Sequence, residues 1–295
     1  ILNHHAGMYP TWVHVEDLRR GTRGSGSGVT FLPPSANRSA WDTTLESLHP
    51  GGPGGERFRG AVRVGLGRVF GLAAATGARI AAARGERPFR SLADFLDRVR
   101  PTSPEVESLV LAGALDFTGR SRPSLLLEAR VAAGAGPGTR ASEQVRPARE
   151  RAPALVAPDG SALVPELPEF DLAERVRGEC RATGLWFSAH PLDVLVDRGA
   201  LAGATPAAEL AAHAGRRVTI AGLPCARRRV ETKSGGTMLF LTLADKTGLA
   251  ECALFPGAYR ASAPAVRAQV VRAEGRVDET LGAVTLAAER VVALA

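Results

Sequence analysis

The sequence predicts an α+β chain of several domains, helical through its first half and ending in a small all-β barrel. Three observations carry this. Residues 57–129 hold apolar residues at helical spacing, broken by Gly-containing corners. Residues 130–165 have no periodicity and frequent Gly and Pro, the composition of a disordered linker. From Gly215 onward, apolar and polar residues alternate with period two between turn signals. At 295 residues the chain has room for two or three separate cores.

In chain order, "PTWVHVEDLRR" predicts a helix with Trp12, Val15 and Leu18 on or near one face, and Val13 beside them. The run "GTRGSGSG" at 21–28 ends it as a flexible connector, and "VTFLPPSANRS" predicts a short strand stopped by Pro33 and Pro34. Residues 1–56 therefore read as one helix and loose chain. Over residues 57–100, ten arginines stand against Glu86, Asp94 and Asp97.

Two helix–corner–helix segments follow within 57–129. "VRVGLGRVFGLAAATGARIAAAR" predicts an apolar helix, a corner at Gly71-Leu72-Ala73, and a second helix holding Ile80 and Ala83. "VESLVLAGALDFTGRSRPSLLL" repeats the form, with its corner at Ala112-Gly113-Ala114. This is a helix-hairpin-helix arrangement, whose small residues let backbone N–H groups at a helix N-terminus meet a phosphate without reading sequence. The candidate duplex-binding residues are Arg68, Gly71, Leu72, Ala73, Arg79, Gly113 and Ala114. Each segment taken alone also fits an ordinary αα-corner with a capping glycine.

Residues 166–214 read as a helical connector, with one helix in "DLAERVRGECRATG" and a short piece in "SAHPLDVLVDRGA". Glu166, Glu169 and Asp171 read as a solvated acidic edge, and His190 before Pro191 as structural. Residues 215–295 predict strands near 216–230, 237–244, 249–255, 269–277 and 283–292, with a short helix near "GAYRASAPAV" after the third. Five strands with a helix at that point is the order of an OB-fold barrel. A small β-sandwich is the alternative.

The hairpin "TMLFLTLADKTGLAECALFP" then raises a question of faces. Along 237–244, Leu239, Leu241 and Leu243 point one way, and Met238, Phe240 and Thr242 the other. A barrel strand needs one apolar face, so the second is either buried too or kept for a ligand. The preceding "ARRRVETKSGG" brings Arg227, Arg228, Arg229 and Lys233 to the same strands, and Lys246 sits in the tight turn. Cations beside an aromatic-bearing β-surface suit single-stranded nucleic acid, whose phosphates pair with the cations while its bases stack. The single-strand set is thus Arg227, Arg228, Arg229, Lys233, Phe240 and Lys246. Phe240 and Phe255 read as core in preference to a stacking platform, the arginines also fit a solvated strand edge, and Tyr259 is open.

The formal charge of +7 and a pI of about 10.2 favour polyanionic partners. Of the 37 basic residues only Lys233 and Lys246 are lysines, a bias that a GC-rich genome also produces. Cys180, Cys225 and Cys252 are unpaired in spacing, against a zinc ribbon or disulfide framework and in keeping with a reducing cytoplasm. No run approaches the ~18 apolar residues that span a bilayer, so no membrane partner is expected. No Asp-x-Asp, phosphate loop or nucleophile–His–acid set occurs. Catalysis by these residues alone is not expected, and the opening "ILNHHAGMYP" reads as the start of a fragment.

The order of segments resembles the C-terminal part of the bacterial DNA polymerase III alpha subunit, a C-family polymerase. "ILNHHAGMYP" and "FLPPSANRS" are similar to segments near the end of that family's fingers. "VRVGLGRVFGL", "PFRSLADF" and "LAGALD" resemble its helix-hairpin-helix region, and "TGLWFSAHPLD" the segment before its OB domain. "VTIAGLPCARRRVETKSGGTMLFLTLADKTGLAECALFP" resembles the OB domain itself.

The resemblance implies template-directed DNA synthesis with Mg2+ held by palm aspartates outside this sequence, and no cofactor in this segment. It implies duplex held by the hairpins, single-stranded template on the OB domain, and a place among replisome subunits. Ala73 stands where the family's first hairpin usually has a second glycine. No clear sliding-clamp peptide is present, since "QVRPARE" lacks the apolar residues. "NRSAWDTTLE" leans to the error-prone branch, whereas "SAHPLD" and "LAECALFP" fit the replicative branch as well. A stand-alone nucleic-acid-binding module and a protein-interaction OB domain are the alternatives.

Overall fold

The computed structural model describes residues 3, 9–21, 28–47, 60–134, 164–233, 235–280 and 283–294. The Gly/Ser connector and the linker expected at 130–165 lie almost wholly outside them. The chain divides into two units: Thr30–Phe187, and Ile1–Val29 with Ser188–Ala295. The N-terminal helix thus belongs with the barrel, and residues 166–187 with the helical unit, a partition that adjacency in sequence does not reveal.

The barrel unit begins with helix α1 (Thr11–Arg20). Val13 and Val15 are 1 % exposed, whereas Leu18 is 43 % exposed, so the buried face is turned from the expected Trp12–Val15–Leu18 stripe. Val13 packs with Cys225 and Ala244.

In the helical unit, strands β1 (Thr30–Leu32), β2 (Thr44–Ser47) and β3 (Gly60–Arg63) form one sheet in the order β1-β3-β2. The apolar helix expected before the first corner is this third strand, followed by a single 3-10 turn at Leu66–Arg68. Val62 and Val64 are spaced by two, a strand period, and both are buried. Helices α2 (Ala74–Glu86), α3 (Leu92–Val99), α4 (Ser103–Leu111), α5 (Arg122–Gly134) and α6 (Leu172–Thr183) complete the unit. Ile80, Phe89, Leu92, Phe95, Val99, Val106, Leu109, Leu115 and Leu125 share its core. Ser91 caps α3 by accepting from the Asp94 N–H, and Asp171 caps α6 by accepting from that of Glu174.

A buried ion network joins α4, α5 and α6. The Arg122 guanidinium, 2 % exposed, meets Asp116 at 2.9 Å and Glu179 at 3.3 Å, and donates to the Leu111 carbonyl. Burial opposes its charge, but Asp116 and then Glu179 and Glu169 outweigh that and raise its pKa. The acidic edge expected at 166–171 is likewise partnered rather than merely solvated. Glu166 accepts from Arg120 and from the Ser121 N–H, and Glu169 from the Arg122 N–H.

After a short helix α7 (Pro191–Val194) come β4 (Arg217–Glu231), β5 (Thr237–Ala244), β6 (Leu249–Leu254), helix α8 (Pro256–Ser262), β7 (Val271–Thr280) and β8 (Ala283–Ala293). The strands close a barrel in the order β4-β5-β6-β8-β7. β4 closes it by pairing with β7 through residues 217–222 and with β5 through 223–231, bending at a bulge between Pro224 and Ala226. The five strands and the helix fall where the alternation placed them. Leu239, Leu241 and Leu243 fill the core with Ile220, Cys252, Val271 and Leu286. His190 is structural as expected, its Nδ1 accepting from the Leu192 N–H at the start of α7.

Candidate nucleic-acid interface

The hairpin question resolves toward a free second face. Directly opposed residues of antiparallel strands share a face, and the register places Arg228 opposite Phe240. Phe240 lies outside the barrel core and half-buried, its ring centroid 5.7 Å from the Arg228 guanidinium. The same row continues around the barrel: Phe240 opposes Ala253, Ala253 pairs with Ala287, and Ala287 opposes Arg276. Cations and an aromatic ring stand at the sides, with two small residues between them, of which Ala253 is buried and Ala287 half-buried. Arg276 was missed in the sequence, although it faces outward in a period-two strand.

Arg227 and Arg229 do not join this row. They oppose Leu241 and Leu239, whose side chains point into the barrel. Arg227 Nε donates to the Val266 carbonyl at 2.8 Å, and the Arg229 guanidinium lies 6.0 Å from the Tyr259 ring centroid. One run of three arginines therefore serves two faces. Lys233 is exposed in the loop before β5. Lys246 is at the other end of β5, roughly 25 Å away at ~3.3 Å per residue, where it pairs with Asp193.

In the helical unit the two corners differ. Gly71 has φ +80 and lies exposed, followed by the exposed Ala73, Ala74 and Ala75 at the start of α2. Its neighbour Leu72 is buried in the core. The Ala73 N–H is already used, donating to Glu105 Oε1 at 3.1 Å. Burial pushes the Glu105 carboxyl up, but the Thr102 N–H, the Thr76 hydroxyl and the Ala73 N–H overcome this and hold its pKa at about 2. A protein carboxylate thus occupies part of the anion site expected at this corner.

The second corner is interior. Ala112 and Ala114 are fully buried, and the Ala114 carbonyl accepts from the Ala36 N–H. A Cβ on Gly113 (φ +81) would lie 2.5 Å from Arg122 Nη2. Gly113 therefore makes room for the buried Arg122, and Gly113 and Ala114 are both enclosed by the helical unit. Arg68 donates to the Thr183 carbonyl at 2.9 Å, and Arg79 to the Val99 carbonyl at 2.8 Å.

Among the described residues, no group of three or more His, Cys, Asp or Glu side chains is placed to hold a metal ion. No helix among them is long and apolar enough to cross a membrane.

Comparisons with known proteins agree with both units. A family model described as a helix-hairpin-helix motif matches residues 28–125, and one described as an OB-fold nucleic acid binding domain matches residues 218–294. DNA polymerase III subunit alpha of Bacillus subtilis is 29 % identical over 82 % of this chain and 20 % of its own length. The error-prone DNA polymerase of Symbiobacterium thermophilum is 33 % identical over 96 % of this chain and 28 % of its own. That of Nocardia farcinica is 34 % identical over 96 % of this chain and 23 % of its own. The chain thus spans about a fifth to just over a quarter of these relatives. With a helix-hairpin-helix region, a closed five-stranded OB barrel and similarity along most of its length, the chain is homologous to one part of the bacterial DNA polymerase III alpha subunits and error-prone DNA polymerases.

Proposed function

We propose that this chain is the DNA-handling segment of a bacterial DNA-directed DNA polymerase acting in replication or repair synthesis. Single-stranded template crosses the outer face of the OB barrel along Arg228, Phe240, Ala253, Ala287 and Arg276. Lys233 meets its phosphates beside this path. Duplex meets the helical unit at the first corner, around Gly71 and the exposed start of α2. Nucleotidyl transfer belongs to polymerase regions outside the matched segment, so the chain alone binds DNA without extending it.

The supporting observation is the pairing of Arg228 with Phe240 on the face that the barrel core does not use. A half-buried aromatic ring under a cation, outside the core, suits a base stacked upon it. Photocrosslinking of a bromodeoxyuridine-substituted oligonucleotide to the full chain, with peptide mapping, tests the reading. Adducts within 237–244 are expected. Adducts confined to other segments would contradict it.

A further inference from the structure

Beneath the rim of the barrel lies a cleft of about 640 Å3, lined by Arg227, Arg229, Leu239, Tyr259, Pro264 and Arg267 among others. None of its lining residues is acidic. Among the described residues, none of its three arginines forms an ion pair, as is also true of Arg228, Arg260, Arg276 and Arg290 in the same unit. Three guanidinium groups without a carboxylate repel one another, and a bound anion relieves that repulsion. Guanidinium forks suit phosphate oxygens bidentately. Arg227 is held by Val266, leaving its terminal nitrogens for a ligand. The Tyr259 ring, half-buried against the barrel core, supplies a flat apolar wall beside Arg229. The volume lies within the roughly 300–1,000 Å3 of ordinary ligand sites, too large for phosphate alone.

We propose that this cleft is a nucleoside-phosphate site, distinct from the outer face, in which Arg229 and Arg267 hold the phosphate and Tyr259 the base. The occupant is a nucleotide turned aside from the strand or a free nucleotide. The first rests on the reading of the barrel as a single-strand binder, and the second does not.

The test is calorimetric titration of the full chain with thymidine 5′-monophosphate, thymidine and inorganic phosphate, with competition against labelled oligo(dT). The monophosphate should bind at least about tenfold tighter than either part. The double change Arg229→Gln/Arg267→Gln, or Tyr259→Leu, should weaken it by about tenfold or more. Tyr259→Phe should bind as the parent does.

Displacement of oligo(dT) by the monophosphate would assign the cleft to the strand, and binding without displacement to a free nucleotide. Phosphate binding as tightly as the monophosphate, or monophosphate affinity indifferent to the exposed Arg229 and Arg267, would overturn the proposal. If the monophosphate fails to bind while oligo(dT) binding still depends on Phe240, the cleft falls and the outer face stands. If oligo(dT) ignores Phe240 while the monophosphate responds to the cleft changes, the outer face falls and the cleft stands.

Discussion

The Ala73 backbone N–H donates to the buried carboxylate of Glu105, 3.1 Å away and 32 residues on in sequence. One side chain thereby caps its own helix and also the start of α2. Glu105→Gln removes the charge from bonds made by Thr102, Thr76 and Ala73, and should cost about 1.5–3 kcal/mol in urea denaturation at pH 7. The folded pKa of about 2 lies below the ordinary 4.5. Its contribution is therefore complete above pH 4.5 and lost as pH falls toward 2. The parent's advantage over Glu105→Gln should shrink over that interval, and an advantage constant with pH would contradict the assignment.

The two corner glycines should respond differently. Gly71→Ala strains a positive φ but meets only Ser108 Oγ at 3.9 Å, and should cost about 1 kcal/mol. Gly113→Ala adds a Cβ 2.5 Å from Arg122 Nη2, and should cost more, about 2–4 kcal/mol. Denaturation midpoints of the two variants check the order.

Arg122→Leu would leave Glu179 fully buried without its cation. A loss of about 3–5 kcal/mol is expected. Adding Glu179→Leu should restore part of it, and the non-additivity in a double-mutant cycle reads the pairing directly.

Phe240→Ala and Leu241→Ala differ by one position in β5 and by face. Leu241→Ala should cost about 2–5 kcal/mol of stability by opening a core cavity. Phe240→Ala should change stability far less, and weaken single-strand binding by about 1–3 kcal/mol. Thermal melts and fluorescence anisotropy on both variants separate the two roles.

The barrel was legible because its strands alternate cleanly and Asp-Lys-Thr-Gly and similar turns mark their ends. The face of Phe240 was not, because period two shows that Leu239 and Phe240 point apart without showing which neighbours cover each. Strand β3 reads as helix in sequence because Val62, Val64 and Leu66 sit among glycines in a segment too short to show its period. Arg122 and Glu179 resemble surface charges in sequence, and their meeting 57 residues apart depends on how α4, α5 and α6 pack. The run Arg227-Arg228-Arg229 was visible as positive charge, but its division between faces requires knowing the register with β5. Arg267 carries no signal in sequence, because only the fold brings it into one cleft with Arg229, 38 residues before it.

The central claim is that the outer face of the barrel carries single-stranded DNA on Arg228, Phe240 and Arg276. The most direct measurement is the salt dependence of oligo(dT) binding to the full chain, compared with Arg228→Gln/Arg276→Gln. Losing two phosphate contacts should lower the log–log slope by about 1.4, at ~0.7 per contact for a single strand. A parent slope near zero, or a variant slope equal to the parent's, would contradict the account.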